Sequence, residues 1–239
     1  MKITWLGQAG LMMETGGRII LIDPYLSDSV AKINPLNYRR VSVDEHFLHI
    51  KPDVIICTHN HLDHADPETL KYYLTGEGSV MVLAPTAAWE KVREFGGKHN
   101  YLCFNRHTEI TVSTKAEKYE MTSCAKHEEI RFVAIRAEHS DPHSIGVIIE
   151  AERKRYYVTG DTLYNTEIFE DVPEKIDMLF LPINGVGNNM NMADAKRFCE
   201  RIRPGVAVPM HCGLFDEIDM NAFGYEPKIV PQIYQEITF

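Results

Sequence analysis

ICTHNHLDHADPET, residues 55–68, sets three histidines and an aspartate, His59, His61, Asp63 and His64, into six consecutive positions. The run VIIC (54 to 57) that leads into it is apolar and β-branched, as a buried strand requires. Asp66 followed by Pro67 then reads as the cap and first position of a helix. The segment is therefore a strand, a polar turn and a helix, with the histidines held at the strand's end. So many imidazoles in one short turn compete for too few hydrogen-bond partners unless a cation joins them. Residues two apart in an extended segment face the same side, so His59 and His61 can grip one ion while Asp63 and His64 turn toward a second. Neutral imidazoles with carboxylates suit borderline divalent ions, Zn²⁺, Mn²⁺ or Fe²⁺.

Outward from this segment the chain keeps the same grammar. Before it, ITWLG, LMMET and RIILID read as short strands, the last two joined across Gly16-Gly17 as a hairpin. Residues 24 to 51 are polar with little period and read as a long connecting loop. After it come VMVLA (80 to 84), a helix from Thr86, strands in residues 100 to 160 that include RFVAIRA, IGVIIEA and RYYVTG, then DMLFLPI, a helix near Met192 to Ile202, and VAVPM. Strands interspersed with helices around an antiparallel middle predict a layered α/β sandwich. No linker-like stretch divides the chain, so residues 1–239 are read as a single domain.

What ends each apolar run matters most. FVAIRAE leads to His139, YYVTG to Asp161 and VAVPM to His211. In sheets covered by helices, strand ends carry the loops that build sites, so these groups can converge with the first cluster on one rim. A lone histidine after a strand is more often an ordinary surface residue; the cluster around His59 is what recruits the others. Asp161 is the natural anion to lie between two ions. Asp23, closing RIILID, is read either as an outer support for the site or as a cap of the Pro24 turn, with Thr58 and Thr162 weaker candidates of the same kind. Asn184, Asn188 and Asn189 in NGVGNNMN offer amides to a polar substrate, Arg39 and Arg40 a pair of cations for a phosphate, and His143 a further contact four residues after His139. Cys57 and Cys212 read as small buried residues, and His46, His49, His99, His107 and His127 have no spacing that ties them to the site.

Composition narrows the partners. A formal net charge of −9 argues against nucleic-acid and anionic-membrane surfaces, and no apolar stretch approaches the roughly 20 residues of a spanning helix. No signal-like apolar region opens the sequence, and five scattered cysteines without a C-x-x-C pair fit reduced thiols, so a cytoplasmic protein is expected. A small-molecule substrate is the expected partner, and a homo-oligomer is the common case for such proteins.

The set His59-x-His61-x-Asp63-His64, His139, Asp161 in T-G-D-T and His211, in that order, resembles the ligand set of the metallo-β-lactamase superfamily. The resemblance covers most of the chain and implies a four-layer αββα sandwich. It also implies that His59, His61 and His139 hold one metal, that Asp63, His64 and His211 hold a second, and that Asp161 bridges them, with a hydroxide between the ions as nucleophile and Asp63 and Asp161 as the catalytic carboxylates. ITWLGQAG, LIDPYLSD, PINGVGNNMNMADAKRF and VPMHCG look like the branch of ascorbate-6-phosphate lactonase and its relatives. That branch implies opening of a small phosphorylated lactone with manganese as the usual ion, although this chain is shorter than the lactonase. Similar motifs in phospholipase D-like members keep a phosphodiester as the alternative. A one-iron persulfide dioxygenase-like oxidoreductase is a further alternative, opposed by the complete second set Asp63, His64 and His211.

Overall fold

A computed structural model describes residues 1–115 and 129–239 of the chain; Cys124 and His127 lie outside them. Twelve strands form two sheets of six. The first holds β1 (Lys2–Gly7), β2 (Gly10–Thr15), β3 (Arg18–Ile22), β4 (Val54–Ile56), β5 (Met81–Ala84) and β6 (Asn100–Cys103), in that order. The second holds β7 (Glu109–Ser113), β8 (Glu129–Arg136), β9 (Ile145–Ala151), β10 (Lys154–Val158), β11 (Met178–Pro182) and β12 (Val206–Met210), also in chain order from one edge to the other. Each sheet begins with antiparallel hairpins and ends with parallel strands: β3 to β6 in the first, β10 to β12 in the second.

Strict alternation within uniformly apolar strands explains the layering. Ile20 and Ile22 of β3, Val54 and Ile56 of β4, Tyr156 and Val158 of β10, and Met178 and Phe180 of β11 meet in one core between the sheets. Their neighbours face outward, Leu21 and Ile55 under the helices of the first sheet, Tyr157 and Leu179 under those of the second. Strands buried on both faces read as continuous apolar runs, which is why VIIC and MLFLP were legible. Helices α2 (Pro67–Leu74) and α3 (Thr86–Val92) cover the first sheet and α4 (Met192–Ile202) the second, which completes the αββα sandwich. The Asp66 carboxylate accepts from the Glu68 and Thr69 amides, so the capping reading of Asp66-Pro67 corresponds to the observed start of α2.

The stretch from 24 to 51 departs from a plain loop. It contains the short helix α1 (Ser29–Ile33) and a 3₁₀ turn (Glu45–His49), capped by Asp44 accepting from the His46 amide. Phe47 and Leu48 pin that turn into the outer core, two apolar residues too few to give a period. The edge strands β6 and β7 are half-exposed, so their runs NYLC and EITVS carry a weaker signal than the central strands.

Candidate metal centre

Parallel neighbours β3 and β4 end side by side, and their first polar residues interlock. Asp23 is fully buried; its carboxylate accepts from the Thr58 amide at 2.7 Å, from the Thr58 hydroxyl at 2.6 Å and from His64 Nδ1 at 2.8 Å. The contacts of Asp23 are with the ligand run, not with the Pro24 turn. The Thr58 hydroxyl, having donated to Asp23, is 3.2 Å from His59 Nδ1 and can accept from it. One carboxylate thus orients two imidazoles.

The same device recurs around the cluster. His61 Nε2 lies 3.2 Å from the Ser140 hydroxyl, His139 Nδ1 donates to the Asn188 carbonyl at 3.1 Å, and His211 Nδ1 lies 3.1 Å from the Asn184 amide. Each imidazole is fixed at one nitrogen by a protein polar group and turns the other inward, the arrangement a metal-binding histidine requires. The inward atoms crowd: His139 Nε2 and His61 Nδ1 are 3.2 Å apart, and His64 Nε2 and His211 Nε2 also 3.2 Å. They fall into three groups whose ligand atoms lie within 4.8 Å of one another: His59, His61, His139; His59, His64, Asp161; and Asp63, His64, His211.

Whether these residues fit metal ions can be judged from what they leave unmet. His59 Nε2 and Asp161 Oδ1 are buried without a hydrogen-bond partner. Asp161 Oδ1 does stand 3.0 Å from His211 Nε2 and 3.3 Å from His64 Nε2, but without hydrogen-bond geometry to either. Buried nitrogens facing each other and an orphaned carboxylate oxygen are costly unless a cation occupies the space between them. The donor set, imidazole and carboxylate without thiolate, fits a divalent ion of the zinc or manganese kind.

Charge divides the cluster into halves. Burial, reinforced by the neighbouring His64 charge, holds His59 well below the usual imidazole range, and burial lowers His61 and His139 as well, so this triad presents lone pairs. Around His64 and His211, burial is outweighed by the carboxylates of Asp161, Asp63 and, for His64, Asp23; His64 is raised well above its ordinary value and His211 to about 10. At pH 7, below its raised value, His211 holds a proton in the ion-free protein, the same carboxylates favour the protonated form of His64, and an ion must displace what is bound. Ion binding is therefore expected to release protons and to tighten as pH rises toward about 10. Calorimetric titration in buffers of different ionisation enthalpy measures the release; an enthalpy independent of buffer would contradict it.

Residues not singled out as site candidates in the sequence complete the centre. Gln8 is buried, with a positive φ of 52°; its side-chain amide Nε2 donates to Asp63 Oδ2 at 3.0 Å and faces the His211 ring, and its backbone carbonyl accepts from the His211 amide. Asp141 is buried and ties the two ligand loops, accepting from the Asn60 and His143 amides. The backbone is strained here: Gln8, Asp23, Asn188 and His211 all have φ between 44° and 64°. Gly160, at φ 60°, has no room for a side chain, since a Cβ would stand 2.8 Å from the Ile145 carbonyl. That close approach sets Asp161 against the ligand run.

The NGVGNN loop is brought to the centre, but its polar groups meet protein. Asn189 donates to Asp161 Oδ2 at 2.8 Å and accepts from the Thr162 amide, Asn184 faces His211, and the Asn188 carbonyl receives His139. Arg39 spends its guanidinium on the Tyr25 and Val41 carbonyls and the Tyr234 hydroxyl, and Arg40 on the Phe215 carbonyl beside Glu217. His143 is half-exposed, 3.7 Å from Asp141. Thr162 Oγ1 accepts from the Glu138 amide just before His139. Cys57 and Cys212 are buried.

Residues 2–211 match the Beta-lactamase superfamily domain. A UPF0173 protein of Pyrococcus furiosus is 31% identical over 232 residues, which cover 95% of this chain and 90% of that protein. A UPF0173 metal-dependent hydrolase of Thermoplasma acidophilum is 28% identical over 231 residues, 91% of this chain and 86% of the other. Among solved structures, Igni18, a metallo hydrolase of Ignicoccus hospitalis, superposes with a TM-score of 0.72 over all of this chain and 97% of that one; at 22% identity the likeness is one of fold. No helix among the described residues is long and apolar enough to cross a membrane.

Proposed function

Because the chain belongs to the beta-lactamase superfamily, among its UPF0173 proteins, we propose that it is a two-ion, metal-dependent hydrolase that opens a small ester or lactone. The observation that carries this reading is the overlap of the three ligand groups: His59 is shared by the first two and His64 by the last two. Overlapping groups suit two adjacent ions rather than one. His59, His61 and His139 would hold the first, Asp63, His64 and His211 the second, and Asp161 would lie between them, Oδ1 toward His211 and Oδ2 within 3.9 Å of His139. Bound there, two Mn²⁺ or Zn²⁺ ions would supply Lewis acidity toward a carbonyl and bring the ionisation of water near neutrality.

The chain's own residues supply orientation and proton handling. Asp63, its side chain 17% exposed, stands on the open side of the cluster. Burial alone would raise its pKa, but the charge of His64 and the hydrogen bond and charge of His211 outweigh burial and hold it well below the usual carboxylate range, so it stays ionised at any working pH. Gln8 fixes one of its oxygens, and the carboxylate is placed to take the proton of the attacking water. As water adds to the carbonyl carbon the ring C–O bond breaks, and that proton goes to the departing alkoxide. A phosphorylated lactone needs a free cation that Arg39 and Arg40, bound to protein acceptors, do not offer; a neutral ester or lactone is the version the site favours. The complete second group, Asp63, His64 and His211, speaks against the one-iron oxidoreductase. The substrate is a small molecule, handled in the cytoplasm, with neither nucleic acid nor membrane as partner.

The test is metal content with turnover. Protein stripped by chelation and reloaded with Mn²⁺ or Zn²⁺ is expected to take up about two ions per chain and to hydrolyse small lactones and nitrophenyl esters, both abolished by chelation. Saturation at one ion per chain, or turnover that survives complete chelation, would sink the two-ion hydrolase.

A further inference from the structure

Between β11 and α4 the chain turns tightly: Gly185 (φ 67°), Gly187 (φ 68°) and Asn188 (φ 64°) are all left-handed within four residues. The turn is pressed onto the start of α4, where a Cβ on Gly185 would stand 2.9 Å from the Asn191 Cβ. Its polar groups hold the ligand cluster. The Asn188 carbonyl accepts from His139 Nδ1, the Asn184 side-chain amide lies 3.1 Å from His211 Nδ1, and Asn189 donates to Asp161 Oδ2. Val186 takes no part in this, and it is left 68% exposed. It stands two residues from Asn184 and two from Asn188, so its Cα is within about 7 Å of the Cα of each. The contacts of the loop therefore hold an apolar side chain at a fixed place beside His139 and His211.

That place adjoins the accessible side of the cluster. His59, His64, Asp161 and His211 are buried, whereas His61, Asp63 and His139 are partly exposed, and residues 185 to 188, of which Asn188 touches His139, are exposed as well. The exposed members mark where a ligand can enter. Leu163, 39% exposed, borders the same edge: its amide donates to the carbonyl of Glu138, next to His139, and the Thr162 carbonyl accepts from the Met190 amide at the end of the turn. Isolated apolar side chains on a surface are ordinary. One held by a rigid polar loop at the entrance of a site is placed for contact, and covering it forfeits little freedom because the loop is already ordered. We infer that Val186 is a specificity-determining residue of the centre: it packs against a hydrocarbon substituent beside the reacting carbonyl, so that neutral esters or lactones carrying such a group are preferred over bare ones. This inference rests on the hydrolase reading for the reaction, but the contact with Val186 can be measured without turnover.

Alkyl hydroxamates, which bind metal ions and have no ester bond to cleave, separate the two. Calorimetric titration of the zinc-loaded protein with acetohydroxamate and with octanohydroxamate is expected to show roughly tenfold tighter binding of the longer one, as burial of one or two methylenes' worth of apolar surface predicts. Val186→Asp should narrow that ratio to about twofold or less, Val186→Ile should retain it, and zinc content should be the same in the parent and both variants. The ratio of kcat/KM for 4-nitrophenyl hexanoate over 4-nitrophenyl acetate should narrow in parallel in Val186→Asp. Equal affinity for the two hydroxamates, or a preference that Val186→Asp leaves intact, would overturn the role of Val186 while acetate hydrolysis left the hydrolase standing. A preference lost in Val186→Asp, in a zinc-loaded protein that cleaves no ester, would uphold the contact and overturn the hydrolase.

Discussion

Asp161→Ala is expected to lower kcat/KM for ester hydrolysis by roughly a thousandfold or more, since in the proposed scheme several kcal/mol of charge stabilisation at the reacting carbonyl would depend on both ions being in place. Gly160 turns at φ 60° under the Ile145 carbonyl, a place no other residue fits, and delivers Asp161 to the middle of the cluster. There one oxygen takes the Asn189 amide at 2.8 Å, and the other has no hydrogen bond but lies 3.0 Å from His211 and 3.3 Å from His64. In the proposed two-ion scheme the carboxylate lies between the ions, so its loss should bring metal content down toward one ion per chain. The loss also removes a leading charge that raises His64 and His211, so fewer protons should be released when metal binds. The fold should persist, because the vacated space costs only the unmet Asn189 donor, on the order of 1–3 kcal/mol. Asp161→Asn, which keeps the shape, serves as a second variant. Turnover within a few-fold of the parent in a variant that still binds two ions would remove Asp161 from the centre.

The ligand cluster was legible because each member follows an apolar run, and runs buried on both faces are the strongest sequence signal a strand gives. The six-residue cluster from His59 to His64 needs no tertiary knowledge to look unusual. Gln8 offers no such sign. It sits in LGQAG, a stretch of otherwise buried residues, and matters only because β1 and β12, 203 residues apart in the chain, end next to one another. Asp141 is hidden in the same way, as one acid in a turn whose partner, Asn60, is 81 residues away. The loop NGVGNN could be placed at the rim from the strand before it. Which way its amides face is decided by the left-handed turn at Asn188 and the hydrogen bond from the Gly185 amide to Met190, and these aim Asn184 and Asn189 at His211 and Asp161. Arg39 and Arg40 show the converse. Their chemistry suits phosphate, but the distant residues that claim them, Tyr234 and Phe215, cannot be paired with them by spacing.

Asp23→Asn should weaken metal binding by about ten- to a hundredfold, the usual cost of removing a carboxylate that orients a metal-bound histidine, while leaving turnover near the parent rate once metal is saturating. Asparagine is the informative choice because Asp23 has φ 44°, which asparagine tolerates and alanine does not. The native carboxylate receives three donors, the Thr58 amide, the Thr58 hydroxyl and His64 Nδ1, all within 2.8 Å. An amide has one oxygen and two N–H groups, so it cannot accept all three, and one N–H must face a donor or leave one buried and unmet. His64 then loses the partner that keeps Nδ1 protonated and Nε2 directed at His211 and Asp161, and His59 loses the indirect hold through Thr58. Stability of the metal-free protein should fall by about 1–3 kcal/mol, as for a buried donor left unsatisfied, and added metal should restore part of it by mass action. Thermal melts with and without Zn²⁺, read alongside metal titrations, distinguish the orienting role from a merely structural one. A variant that melts lower but binds metal as tightly as the parent would show that Asp23 supports the strand ends and not the ligands.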